Sequence, residues 1–438
     1  MPYYVPSTES EQKAMLDEIG VSGFRDLYGD IPESLMIGRP GIAQGMSELG
    51  VRRKMEALAS ENKVFRSIFR GAGAYNHYIP SLVKQITSRE EFVTGYTPYQ
   101  AEISQGTLQA IFEFQTMMCE LTGLAAANAS VYDGATAAAE AAAMCREKRR
   151  ARVLVSETAS PNVTAVMRTY AFASGTGFAT VPAKNGVTDA ESLRAMMDDT
   201  VSCVYIASPN YFGIIEDAGA IGKIAHAGGA KFVMGVNPIA AAILSTPAEC
   251  GADVAVGEGQ PLGMPLSFGG PYLGFMTASA EMTRRLPGRI VGETTDSEGN
   301  RAFVLTMQAR EQHIRREKAS SNVCSNQALC ALTASVYLTV MGPGGLREAA
   351  SQCYAKAHYA ASAISAVPGF EMAHEGEFFH EFVTKCPAEH ERVLEELERR
   401  GILGGLPVND GLLWCVTEMN TKDEIDGLAS VLKGVARR

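Results

Sequence analysis

The stretch with the clearest chemical signature covers residues 251–275, GADVAVGEGQPLGMPLSFGGPYLGF, which reads as a short apolar strand, a glycine-rich turn and a second strand. In a large α/β chain such a turn commonly presents a lysine whose amine condenses with an aldehyde cofactor, since an imine requires an amine nucleophile. No lysine occurs between Lys231 and Lys318, so imine chemistry has no nucleophile at this turn. Lys231 precedes its predicted strand, at the end opposite a ligand site, and Lys318 lies in a charged run without a glycine cradle.

Four further segments carry polar groups at places where a ligand could sit. Asp133-Gly134-Ala135-Thr136 opens a helix, and exposed amides at a helix N-terminus suit a phosphate, with the Thr136 hydroxyl as an added donor. The same amides serve equally as an ordinary cap. The loop ASPNYFG, residues 207–213, follows a strand directly and is followed by Glu216 and Asp217. It reads as a ligand-facing loop or as a tight turn before a helix cap. Asn237 closes another strand, where a carboxylate would pair with a protonated ring nitrogen; asparagine is neutral there and also suits a turn before Pro238. Residues 96–106, YTPYQAEISQG, place two tyrosines, a carboxylate, amides and hydroxyls beside a helix start. A plain connection needs no such density of hydrogen-bonding groups. His374, His380 and His390 with Glu381 match no standard metal spacing and read as surface groups, so no metal is expected.

These groups need a frame, and the chain alternates strand and helix through its middle. A helix over 47–60 and a second over 105–124, closed by Gly123, precede it. Strands are predicted over 152–156, 177–181, 203–207, 232–236, 253–256 and 273–277, with helices over 133–145, 160–170, 190–197 and 218–226 between them. Repeated units of this length imply a mainly parallel sheet flanked by helices, with ligand sites at the carboxyl ends of its strands. After residue 308 a charged piece, REQHIRREKAS, leads into an apolar helix, MGPGG breaks the chain, and strands over 381–384 and 412–416 alternate with helices over 388–400 and 422–436. The expected organisation is a helical N-terminal segment (1–95), a large α/β domain (96–325) and a small α+β domain (326–438).

Bulk composition narrows the function classes. A chain of 438 residues, 46% hydrophobic and 20% charged with 43 glycines, is globular and long enough for two domains. Its net charge of −10 argues against a general nucleic-acid binder. The basic cluster Arg146, Lys148, Arg149, Arg150 and Arg152 reads as a solvated helix terminus. Nine cysteines without CxxC spacing suit free thiols in a reducing compartment. The first residues show no secretory pattern and the apolar run 328–341 is short for a bilayer, so a cytoplasmic protein with no membrane partner is expected.

Five segments carry a family resemblance: TGYTPYQAEISQGTLQAIFEFQTMMCELTGL, ANASVYDGATAAAEA, ASPNYFGIIED, GEGQPLGMPLSFGGPYLG and REQHIRREKASSNVCSNQAL. They resemble the glycine cleavage system P-protein, and more closely the first (alpha) subunit of its two-subunit bacterial form. The resemblance covers nearly the whole chain. It implies the aspartate-aminotransferase-like fold of type I pyridoxal-phosphate-dependent transferases, in an α2β2 assembly. It also implies a glycine dehydrogenase (decarboxylating) reaction. Glycine is decarboxylated with the cofactor as electron sink, CO2 is released, and the aminomethyl group passes to the lipoyl arm of the H-protein.

Aligned on that family, this chain holds Gln260 at the lysine position and Asn237 at the position of the aspartate facing the pyridine ring, while Gly134 and Thr136 persist as fold. The resemblance therefore implies that this chain binds no cofactor covalently, is inactive alone, and leaves pyridoxal phosphate to the beta subunit. Active sites of such dimers lie at the subunit boundary, so Tyr96, Tyr99, Gln100 and Glu102 are expected to reach the beta subunit's cofactor or the glycine carboxylate. Ser104 and Gln105 would support them, and Asn76 and His77 are further rim candidates. The alternative is a non-catalytic scaffold that stabilises the beta subunit and docks the H-protein.

Overall fold

The computed structural model describes residues 7–38, 41–43, 45–95 and 97–436. They fall into two units, Met1–Lys63 and Val64–Arg438. In the first, α1 (Glu9–Glu18) starts on a reciprocal cap between Thr8 and Glu11, and α2 (Glu48–Ser60) on Ser47, whose hydroxyl accepts from the Gly50 amide at 3.2 Å. Neither helix buries a residue.

The second unit is built on α3 (Gln105–Thr122), β1 (Ala126–Ala127), α4 (Gly134–Met144), β2 (Arg152–Ser156), α5 (Pro161–Ala173) and β3 (Phe178–Val181). There follow α6 (Ala190–Met196), β4 (Val201–Ala207), α7 (Ala218–Ala227), β5 (Lys231–Gly235), β6 (Val254–Glu258) and β7 (Gly274–Ala278). The seven strands lie in the order β1-β7-β6-β5-β4-β2-β3. The five from β6 to β3 are parallel, as expected. Only β7 runs antiparallel to both of its neighbours. The connection over 259–273 contains no crossover helix, so the chain simply reverses there.

Helix α4 explains how its N-terminus reaches the strand ends. Its alanines let it lie close on the sheet, and Ala137, Ala138, Ala139 and Ala141 are fully buried among Val155, Val233 and Val254. A Cβ on Gly134 would stand 2.9 Å from the Glu258 Cβ and from its amide nitrogen, so the close approach requires glycine. From β2 the sheet grows one way to β3 and the other way to β4, which sets a crevice at the carboxyl ends of the strands.

Two parts beyond the sheet matter for the site. A hairpin of β8 (Ile290–Thr295) and β9 (Arg301–Thr306), absent from the sequence reading, packs Val291 and Phe303 against Leu108 and Ile111 of α3. Next, α8 (Ala328–Ser365) continues through MGPGG with a kink at Gly342, φ 60°, rather than stopping. Its apolar length would cross a membrane, but here it packs on α3 and on α10 (Lys422–Ala436), with α9 (His390–Arg399) beside the latter. The small sheet of β10 (Glu381–Thr384), β11 (Leu406–Val408) and β12 (Gly411–Cys415) is antiparallel and buries Trp414, whose indole N–H donates to Thr384 Oγ1 at 2.8 Å. The surface reading of the 380–381 pair is corrected here: His380 is 2% exposed and Glu381 3%. All of β10 is buried, which the sequence does not show locally.

Candidate active-site cleft

A cleft of about 680 Å³ opens at the carboxyl ends of β4, β5 and β6, with Tyr75 and Glu381 on its far wall. Each position expected to serve a cofactor is spent on the protein itself. The Gln260 side chain is 1% exposed; its Nε2 donates to the Tyr75 and Met264 carbonyls at 3.0 and 2.7 Å, and its Oε1 accepts from the Tyr75 amide at 2.9 Å. It staples the 71–77 segment to the turn. Asn237 Oδ1 accepts from the Ile239 and Ala240 amides at 2.9 and 3.2 Å, and its Nδ2 faces His380 Nε2 at 3.4 Å.

The start of α4 is occupied from within. Asp133 caps it by accepting from the Thr136 amide at 2.7 Å. The Gly134 amide donates to Glu258 Oε2 at 2.9 Å, while Glu258 Oε1 accepts from the Gln260 and Leu273 amides at 3.0 and 2.9 Å. A carboxylate thus takes the helix N-terminus that an anionic ligand would need. Burial pushes the Glu258 carboxyl up to about 7 against those three amides, and nearby Asp133 adds to the rise. Glu381 behaves alike: burial raises it to about 7, while the Ala72 amide at 2.6 Å and the Tyr75 hydroxyl at 2.8 Å work the other way. Perturbed carboxyls of this kind gather at functional clefts.

The loop at 207–213 lines this cleft and is internally satisfied. Asn210 is buried, donating to Gly186 O and Glu216 Oε1 at 2.8 and 2.9 Å and accepting from the Phe212 and Ile214 amides. Lys231, the other lysine considered, donates to Asp253 Oδ1 at 2.9 Å outside the cleft.

Pyridoxal phosphate does not fit these residues. It needs an amine for its imine, a free anion seat and a charge partner for its ring. Gln260 supplies a tied-down amide, Glu258 fills the seat with negative charge, and Asn237 has committed its carbonyl oxygen to the backbone.

The second candidate region lies elsewhere. Tyr96 falls outside the described residues. Tyr99 is 59% exposed, and its hydroxyl accepts from Arg289 Nη2 at 2.9 Å. Arg289 itself is 3% exposed and is held by Cys324 O, Ser325 Oγ and Asn326 Oδ1; no carboxylate pairs with it among the described residues. Gln100 and Glu102 are exposed. Ser104 sits at the N-cap of α3. Gln105 clamps the loop to the hairpin through Ala101 O, Phe303 O and the Phe303 amide, at 2.7, 2.9 and 2.8 Å.

Asn76 and His77 are not brought to this corner. The Asn76 carbonyl accepts from Thr417 Oγ1, and buried His77 Nδ1 meets Glu418 at 2.8 Å. Burial opposes ionisation of Glu418, but His77, the Tyr78 amide and the Cys353 thiol hold its carboxyl down to about 2. Burial and neighbouring His77 keep His380 neutral.

Sequence reading passed over Glu258, Glu381, Tyr205 and Arg289 as site groups. Only Glu258 gave a signal, as a carboxylate ending the apolar strand VAVGE.

A parallel sheet growing both ways from β2, with a small antiparallel domain facing the strand ends, defines the architecture of a type I pyridoxal-phosphate-dependent transferase. The sphingosine-1-phosphate lyase of Burkholderia pseudomallei shares that fold at 16% identity, TM-score 0.68, over 91% of this chain and 92% of its own. The crystal structure of a glycine decarboxylase (P-protein) of the glycine cleavage system, in inhibitor-bound form, matches at 40% identity and TM-score 0.93 over 99% of this chain and 100% of that one. The model of the family "Glycine cleavage system P-protein" matches residues 2–432, and the chain belongs to that family. Probable glycine dehydrogenase (decarboxylating) subunit 1 of Desulfitobacterium hafniense is 50% identical over 98% of each chain. The Moorella thermoacetica protein of the same name is 49% identical over 99% of each. "Subunit 1" in those names presupposes a second subunit.

Proposed function

We propose that this chain is subunit 1 of a two-subunit glycine dehydrogenase (decarboxylating), acting in the cytoplasm. It is inactive alone and works with a partner subunit that carries the pyridoxal phosphate, in an α2β2 assembly. The overall reaction takes glycine, releases CO2 and passes the aminomethyl group to the lipoyl arm of the H-protein. The observation that carries this reading is the triple self-satisfaction of Gln260, Glu258 and Asn237 within an otherwise intact fold. Tyr99, Gln100 and Glu102 would face the partner's site, with Tyr96 in the same stretch, while Gln105 and Ser104 hold the loop in place. A guanidinium buried without a carboxylate is an expensive arrangement, and Arg289 behind Tyr99 would gain an anionic neighbour when the partner binds glycine. The exposed side chains of Ile37, Ile42, Leu49 and Met55 in the first unit give a partner subunit apolar surface to cover.

Glycine–CO2 exchange assayed with each purified chain alone and with both together tests this. Activity is expected only in the mixture, and borohydride should fix the cofactor onto the partner. Exchange by this chain alone, or cofactor reduced onto it, would overturn the reading. The scaffold alternative predicts wild-type turnover in Tyr99→Phe, Gln100→Ala and Glu102→Gln complexes.

A further inference from the structure

The cleft has a wall chemistry opposite to that of an anion site. Asp133, Glu258 and Glu381 line it, and among the described residues no lysine, arginine or histidine does. A phosphate or carboxylate ligand would find no cationic side chain to pair with there among the described residues. Tyr75, Tyr205, Tyr211 and Tyr272 line it beside the neutral Ser160, Asn162, Asn210 and Asn237, and aromatic faces attract cations through their quadrupole. At about 680 Å³ the cleft lies in the range of small-molecule sites, roughly 300–1,000 Å³.

Tyr205 adds an independent observation. Its side chain lines the cleft and is only 4% exposed, yet its hydroxyl makes no hydrogen bond among the described residues. Its oxygen is open to the cleft and not sealed in the core, so it is free to meet a group that the cleft receives. The carboxylates also have capacity left. Glu258 Oε2 accepts one hydrogen bond, from the Gly134 amide. Each Glu381 oxygen accepts one, from the Ala72 amide and the Tyr75 hydroxyl. A carboxylate oxygen offers about two acceptor sites.

We propose that this cleft is a binding site for a small organic ammonium ion, seated against the tyrosine rings with Glu381 and Glu258 as its counter-charges. The fold's cofactor seat has thereby become a cation site with reversed polarity, whichever subunit carries the cofactor.

The test uses trimethylammonium, which has one N–H to donate but, as a tertiary amine, forms no imine with an aldehyde cofactor on the partner. Its binding to the full-length chain, alone and in complex with the partner subunit, is followed by saturation-transfer NMR and calorimetry. Millimolar or tighter binding is expected in both. Glu381→Gln should weaken it about tenfold, the scale of one lost charge-assisted contact. Tyr205→Phe, which removes one oxygen and keeps the packing, should change affinity by a few fold and keeps the test meaningful if Glu381→Gln fails to fold. Inorganic phosphate should not compete. Absence of binding at millimolar ligand, binding unaltered by either substitution, or displacement by phosphate at constant ionic strength would each overturn the assignment.

Discussion

The cleft around Gln260 and the corner around Tyr99 hold similar polar groups but treat them in opposite ways. In the cleft, Gln260, Asn237 and Glu258 bond to the chain's own backbone. At the corner, Arg289 is buried without a counter-carboxylate among the described residues, and the side chains of Tyr99, Gln100 and Glu102 are exposed. Polar groups that close on themselves leave little with which to hold a cofactor. Groups held rigidly but left incomplete report a surface that expects another molecule.

Restoring the lysine is the strongest way to break that contrast. Gln260→Lys would strip two hydrogen bonds from Tyr75 and one from Met264 and bury an ammonium at a position that is 1% exposed. We expect a loss of about 3 kcal/mol or more in urea unfolding and no absorbance band with added pyridoxal phosphate. A stable variant that acquires the band would show that the cleft is not closed to the cofactor.

At the corner the expected loss is in rate. Tyr99→Phe removes the acceptor for Arg289 Nη2 on a side chain that is 59% exposed. The reconstituted enzyme should lose about tenfold in turnover, or about 1.4 kcal/mol of barrier, with assembly and melting temperature unchanged. An equal fall in melting temperature would move Tyr99 from the chemistry to the scaffold.

The smallest effect is a slope. Glu258 and Glu381, raised from 4.5 to about 7 in the folded chain, bind protons more tightly folded than unfolded. Their contribution to stability is therefore full below about 4.5 and is lost as pH rises through 7. Glu418, held down to about 2, acts in the other direction: its contribution is present above 4.5 and is lost as pH falls toward 2. Stability of this chain measured from pH 5 to 7.5 should decline less steeply in Glu381→Gln than in the wild type. A slope unchanged by the substitution would mean that Glu381 is already ionised in the fold.

The strand–helix alternation from residue 105 to 278 was legible because each element carries its own apolar period and its own cap, down to Gly123 in the left-handed conformation. The hairpin at 290–306 was not, since its stability comes from Phe303 and Val291 meeting α3 far away in sequence. The same divide runs through the site. Gln260 and Asn237 could be read as neutral amides where charge was expected. Glu258 showed only as a carboxylate ending an apolar strand; its role could not be read, because it lies in the Gly134 amide 124 residues earlier. Arg289 likewise draws its partners from two distant segments, Tyr99 and residues 324–326.

The contact between Gly134 and Glu258 also has a historical consequence. A lysine returned to position 260 alone finds its phosphate seat filled, a seat emptied at position 258 alone leaves three amides without an acceptor, and neither change recharges position 237. Each step back is a loss until the others have been taken. The arrangement works as a ratchet: with these residues settled on one another, no single substitution rebuilds a cofactor seat in this cleft, and on the function proposed above that would fix the chain's reliance on its partner.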